Sequence, residues 1–165
     1  MHEKARRFLG TAVALGVLMA LTGGAASGQS AAQATQTDSQ GGVTIKAVYI
    51  TAAYFKAAPR DPLAGKVDVE RNIVFAITLD THAGDLSGYD FIKNVLLRND
   101  RGQQAAPVRW VSTADGGHHR AGALVFPKAD PSGRAIEPQA KALELVVRGL
   151  GGAAERLLRW TLLIE

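Results

Sequence analysis

The chain has 165 residues, of which 47% are hydrophobic, 21% charged and 6% aromatic, and 19 Lys/Arg against 15 Asp/Glu give it a net charge of +4. That fits one ordinary globular domain, and the mild, scattered positive charge argues against nucleic acid as a partner. Cysteine is absent and both methionines, Met1 and Met19, lie in the first 20 residues, so the rest of the chain can carry no disulfide, thiolate nucleophile, iron–sulfur cluster or thioether copper site.

Residues 1–28 read as a signal peptide. Lys4, Arg6 and Arg7 make a basic start, residues 8–22 are an apolar run, and small residues from Gly23 to Gly28 offer a cleavage site. The expectation is an exported chain in the periplasm or medium, touching a membrane only where this segment stays uncleaved. Residues 29–42 contain no large apolar side chain and are expected to form a disordered linker, since they cannot offset the entropy of ordering. The domain proper is then 43–165, where 16 Lys/Arg and 13 Asp/Glu leave +3.

Within it, residues 43–51 alternate and are rich in β-branched and aromatic residues, which predicts a first strand. Residues 52–67, with Pro59 and Pro62, read as a loop with room for a short turn. The cleanest strand signal is 69–79, where Ile73, Phe75, Ile77 and Leu79 share one face. A connection follows at 81–90, then an apolar run at 91–98, a turn at 99–102 and a strand at 108–112. Residues 114–117 read as loop, 121–126 as strand and 128–138 as an exposed loop. Residues 142–147 suit a strand, although the composition of 139–148 also suits a short helix. A turn at 149–152 leads into an alternating strand at 154–164, with Trp110 and Trp160 expected in the core. Six to seven short strands at this spacing predict an all-β, immunoglobulin-like antiparallel sandwich, with an α+β fold carrying a helix at 139–148 as the alternative.

Two polar stretches stand out from this apolar framework: Asp80-Thr81-His82-Ala83-Gly84-Asp85, and Asp115-Gly116-Gly117-His118-His119-Arg120. They hold every histidine other than His2. If the strand ending at Leu79 stays extended, Asp80 and His82 share a side opposite the Phe75 row; His118 and His119 point to opposite faces if their segment is extended, a constraint that a turn at Gly116-Gly117 would relax. Imidazole and carboxylate donors without sulfur suit Cu(II) or Zn(II), with Asp80, His82, His118 and His119 as the candidate ligands. The same residue types also serve as loop fasteners: Asp80, Asp85 and Asp115, with Thr81, can accept loop amides, histidines bonded to backbone carbonyls or to Asp90 can tie one loop to another, and Arg120 can pair with one of those aspartates. A third reading is an interaction surface in which the histidines, Arg120 and Tyr89 meet a partner.

Catalysis has little support. No G-x-S-x-G elbow or HExxH helix occurs, and the Gly149–Gly152 turn does not open a helix after a βαβ strand.

The segments 79–90 and 116–127, with Trp110 between them, resemble a group of secreted bacterial β-sandwich proteins. That group carries a DTHxxDLxGYD-like stretch followed some thirty residues later by GGHHRxGxLxFP. The resemblance covers about half of the chain beyond residue 28, maps the group's histidines onto His82, His118 and His119, and implies a fold and a compartment but no activity. The resulting expectation is a monomeric, non-catalytic binding or accessory module of the bacterial envelope, its partner an envelope protein, with a copper- or zinc-binding periplasmic protein as the alternative.

Overall fold

The row Ile73, Phe75, Ile77 and Leu79 is the centre of the molecule, each side chain at most 1% exposed. Burying an aromatic or branched aliphatic side chain stabilises a fold by about 1.5–3 kcal/mol, so this strand is where the chain gains most from closing a second layer over it. Phe75 packs against Trp160, Tyr49 and Phe126, with ring centroids 4.7, 5.3 and 6.0 Å away.

A computed structural model describes residues 34–137 and 139–162; the signal peptide expected at 1–28 and the first five residues of the expected linker lie outside them. Among the described residues nine strands form two antiparallel sheets, and the fold is an all-β sandwich. One sheet has the order β1-β2-β3-β7-β6, comprising β1 (Thr35–Gln40), β2 (Val43–Ile50), β3 (Asn72–Thr81), β6 (Arg109–Asp115) and β7 (His119–Pro127). The other has the order β5-β4-β8-β9, comprising β4 (Val95–Asn99), β5 (Gln104–Ala105), β8 (Ala142–Arg148) and β9 (Glu155–Thr161). Leaving out β1 and the short β5, the orders β2-β3-β7-β6 and β4-β8-β9 reproduce the ABED and CFG sheets of the immunoglobulin arrangement.

Three differences from the sequence reading, and the failure of its helical alternative, have physical causes. Residues 35–40 are not a disordered tether but a six-residue edge strand, paired residue for residue with β2 from Thr35 with Val48 to Gln40 with Val43. Tertiary contacts supply what composition lacks, because Trp160 donates its indole N–H to Ala34 O at 2.7 Å and Arg156 reaches the same segment. Residues 142–148 are a strand, so the helix alternative at 139–148 fails; its Leu143, Leu145 and Val147 alternate into the core, and strands on both sides complete its hydrogen bonds.

Residues 52–57 form a short helix, α1 (Ala52–Ala57), capped by the Thr51 hydroxyl. Together with Leu63, Val67 and Val69 it covers the outer face of the larger sheet over Ile50, Val74 and Ala123, a second small core. Finally, the run at 91–98 divides into one helical turn, α2 (Phe91–Asn94), and β4. Asp90 accepts from the backbone N–H of Ile92 and Lys93 and so starts the turn.

Candidate functional site

The antiparallel register brings the two polar stretches to one end of the sandwich. Asp80 in β3 pairs directly with His119 in β7, and Asp115 in β6 with Arg120. Beyond the strands, Thr81 N–H donates to His118 O at 3.0 Å and Leu86 N–H to Gly117 O at 2.7 Å, so the 82–90 loop is stitched to the 116–118 loop by its backbone. The β1–β2 turn at Gly41–Gly42 and the Leu150–Gly152 turn complete this pole. Gly41 has φ 53° and lies so close to Gly151 that an added Cβ would stand 1.9 Å from Gly151 O, which only a glycine at that position permits.

Two buried arginines hold the loops from beneath. Arg120, with 7% of its side chain exposed, donates Nε–H to Asp115 Oδ1 at 2.7 Å and Nη1–H to the carbonyls of Leu86 and Tyr89 at 2.9 and 2.8 Å. Its guanidinium also lies 5.0 Å from the Phe91 ring centroid, and Phe91 stacks on Trp110 at 4.2 Å. Arg156, whose side chain is fully buried, reaches the carbonyls of Gln40, Val43 and Leu150 at 2.7–2.8 Å and Asp38 Oδ1 at 3.2 Å. A guanidinium suits this work because its five N–H donors lie in a rigid fork and stay charged.

The individual candidates divide by role. His119 Nδ1 and Asp80 Oδ1 are 2.5 Å apart on the outer face, the imidazole 74% exposed. His118 lies near Asp85, whose carboxylate is held below the usual range first by the backbone N–H and hydroxyl of Ser87 and further by His118 and Arg120. Asp85 also closes over Gly117, where an added Cβ would be 3.1 Å from its Oδ1. His82 is exposed and, among the described residues, makes no side-chain hydrogen bond or ion pair.

Tyr89 donates its hydroxyl to Arg148 O at 2.8 Å, and burial pushes its pKa up to about 12. Among the described residues Asp90 touches no histidine; it caps α2, and the Lys93 backbone N–H leads the contacts that hold its pKa down. The structure therefore gathers Asp80 with His119, Asp85 with His118, and Asp115 with Arg120, and leaves His82 apart. No group of three or more metal-ligating side chains gathers among the described residues.

Between the loops lies a cleft of about 370 Å³, floored by Val43, Leu86 and Leu150 and rimmed by Tyr89, Asp85 and several glycines. Comparison with family models, curated proteins and solved structures finds no match to this chain. The geometry alone therefore bears on its role.

Arg156 is a fastening residue that the sequence analysis does not single out. Its place in the row with Leu158 and Trp160 was visible as an arginine at a core-facing position, a pattern that calls for buried acceptors.

Proposed function

We propose that the protein is an exported, non-catalytic binding module that meets a partner in the bacterial envelope with the pole formed by the 41–42 turn and the 82–90, 116–118 and 149–154 loops. The observation that carries this reading is the fastening of those loops from the inside. Arg120 and Arg156 bind loop carbonyls at their bases, so the tips with His82, His118 and Asp85 stand outward from a fixed frame. A surface ordered before binding loses less entropy on docking, which is the physical advantage of such a frame.

A photo-crosslinking residue placed at Ala83, in cells that make the protein, is expected to trap a discrete adduct. The same residue at Gly133, in the 129–135 loop, serves as the comparison. Adducts of equal yield and identity from both positions, or none from Ala83, contradict the reading.

A second reading, a Cu(II) or Zn(II) site, is favoured by one contact. Asp80 against His119 Nδ1 leaves Nε2 of an exposed imidazole turned outward, as in carboxylate-supported histidine ligands. Asp80 would then orient the ligand instead of binding the ion. Calorimetric titration with each metal tests this; it expects saturable heat that His119→Ala abolishes, and flat titrations with both metals contradict it.

A further inference from the structure

Away from the pole, on the outer face of the larger sheet, the segment after α1 stands over the strands and leaves an open cleft of about 290 Å³. Its floor consists of the small residues Ala76 and Ala121, and Leu63 and Pro62 form an apolar wall. Around this lie Lys46, Thr78 and Thr113, which among the described residues make no side-chain hydrogen bond or ion pair. Facing them is Asp61, fixed by the Tyr54 hydroxyl, which donates to Oδ2 at 2.7 Å, and by Leu63 N–H, which donates to Oδ1 at 2.8 Å.

Lys46 and Thr78 stand opposite each other in the β2–β3 register, and Thr78 opposite Ala121 in β3–β7, so the ammonium, the hydroxyl and the flat floor lie side by side. The Asp61–Tyr54 contact raises the Tyr54 pKa to about 12, keeping the phenol as a neutral donor that holds the carboxylate in place.

One ammonium and one carboxylate in the same cleft cancel, so neither an anion nor a cation gains a net electrostatic advantage there. What the cleft offers is three donors on Lys46, spare lone pairs on Asp61, hydroxyls that both donate and accept, and an apolar floor. A ligand that complements all four is uncharged, carries neighbouring hydroxyls and has an apolar face. We propose that this cleft binds a single neutral sugar ring, its hydroxyls shared between Lys46, Asp61 and Thr78 and its C–H face laid on Ala76 and Ala121. The volume is at the small end of ligand pockets and suits one ring, not an extended oligosaccharide. This site is separate from the contact pole, and neither reading depends on the other.

The test is an amide NMR titration of the purified protein with glucose, galactose, mannose and N-acetylglucosamine, and in parallel with glycine, acetate and phosphate. At least one sugar is expected to give saturable shifts centred on Ala76, Thr78 and Ala121, while glycine, acetate and phosphate give weaker ones. Lys46→Met and Thr78→Val, both at the solvent-facing side of the sheet, are expected to weaken that binding at least fivefold with unchanged melting temperature. The proposal is overturned if no sugar saturates, if the shifts centre elsewhere, if a charged probe binds more tightly than every sugar, or if both variants bind like the parent.

Discussion

Gly122 shows how one missing side chain shapes the interior. It faces inward in β7, and an added Cβ would stand 2.4 Å from Val111 O and 2.7 Å from the Trp110 ring. The space a side chain would take is filled by the Trp110 indole, which is how that ring comes to stack on Phe91 beside Arg120. Gly122→Ala is therefore expected to lower stability by roughly 1–3 kcal/mol, the usual cost of overpacking, measured by urea denaturation; a variant as stable as the parent contradicts this packing.

Asp130 gives a second prediction, in pH. The hydroxyl of Ser132 leads a set of contacts, with the Arg134 backbone and guanidinium and the Ser132 amide, that hold its pKa down to about 2. A carboxylate depressed in this way contributes stability that is complete above its unfolded pKa of about 4 and is lost as the pH falls toward 2. The 130–134 turn is thus expected to loosen across that window, read by the carboxyl shift of Asp130 and the amide shifts of Ser132 and Arg134. Asp130→Asn is expected to flatten the amide response, and an Asp130 midpoint near 4 contradicts the account.

At the scale of elements, the clearest departures are β1 and α1. The sequence of β1, Thr-Gln-Thr-Asp-Ser-Gln, has no hydrophobic pattern to read, and its order comes from partners more than a hundred residues away, Arg156 and Trp160. No window of local sequence contains that information. The apolar residues Tyr54, Phe55, Leu63, Val67 and Val69 were visible in the sequence, but the prolines among them concealed that they cap a sheet face.

By contrast β2, β3 and β9 were legible because alternation along a strand follows directly from the pleat, whereas β7 was legible as an apolar run that Pro127 ends. The pairing of Asp80 with His119 needed the register of two strands, which the sequence could pose as a possibility and only the fold could decide. If Arg156 is what anchors β1, Arg156→Met strips donors from the carbonyls of Gln40, Val43 and Leu150 and is expected to cost about 3 kcal/mol. Hydrogen exchange in that variant is expected to accelerate at β1 before β3; uniform acceleration, or none, contradicts the anchor.

For the whole molecule, a sandwich without disulfides has to hold its loops with non-covalent contacts, and at the pole of the 82–90 and 116–118 loops two buried arginines supply them. The core strands supply a rigid base, the two arginines carry that rigidity upward into turns and loops, and the loop tips with His82, His118 and Asp85 stand on the result. The central claim is that this pole is ordered before anything binds it.

Hydrogen–deuterium exchange of the free protein at the Leu86 amide, a loop residue whose N–H donates to Gly117 O, tests it most directly. The account predicts exchange at Leu86 nearly as slow as in β3, and acceleration on Arg120→Met at Leu86 with β3 unaffected. Exchange at Leu86 as fast as at Gly65, an exposed turn residue whose amide makes no hydrogen bond among the described residues, would contradict it.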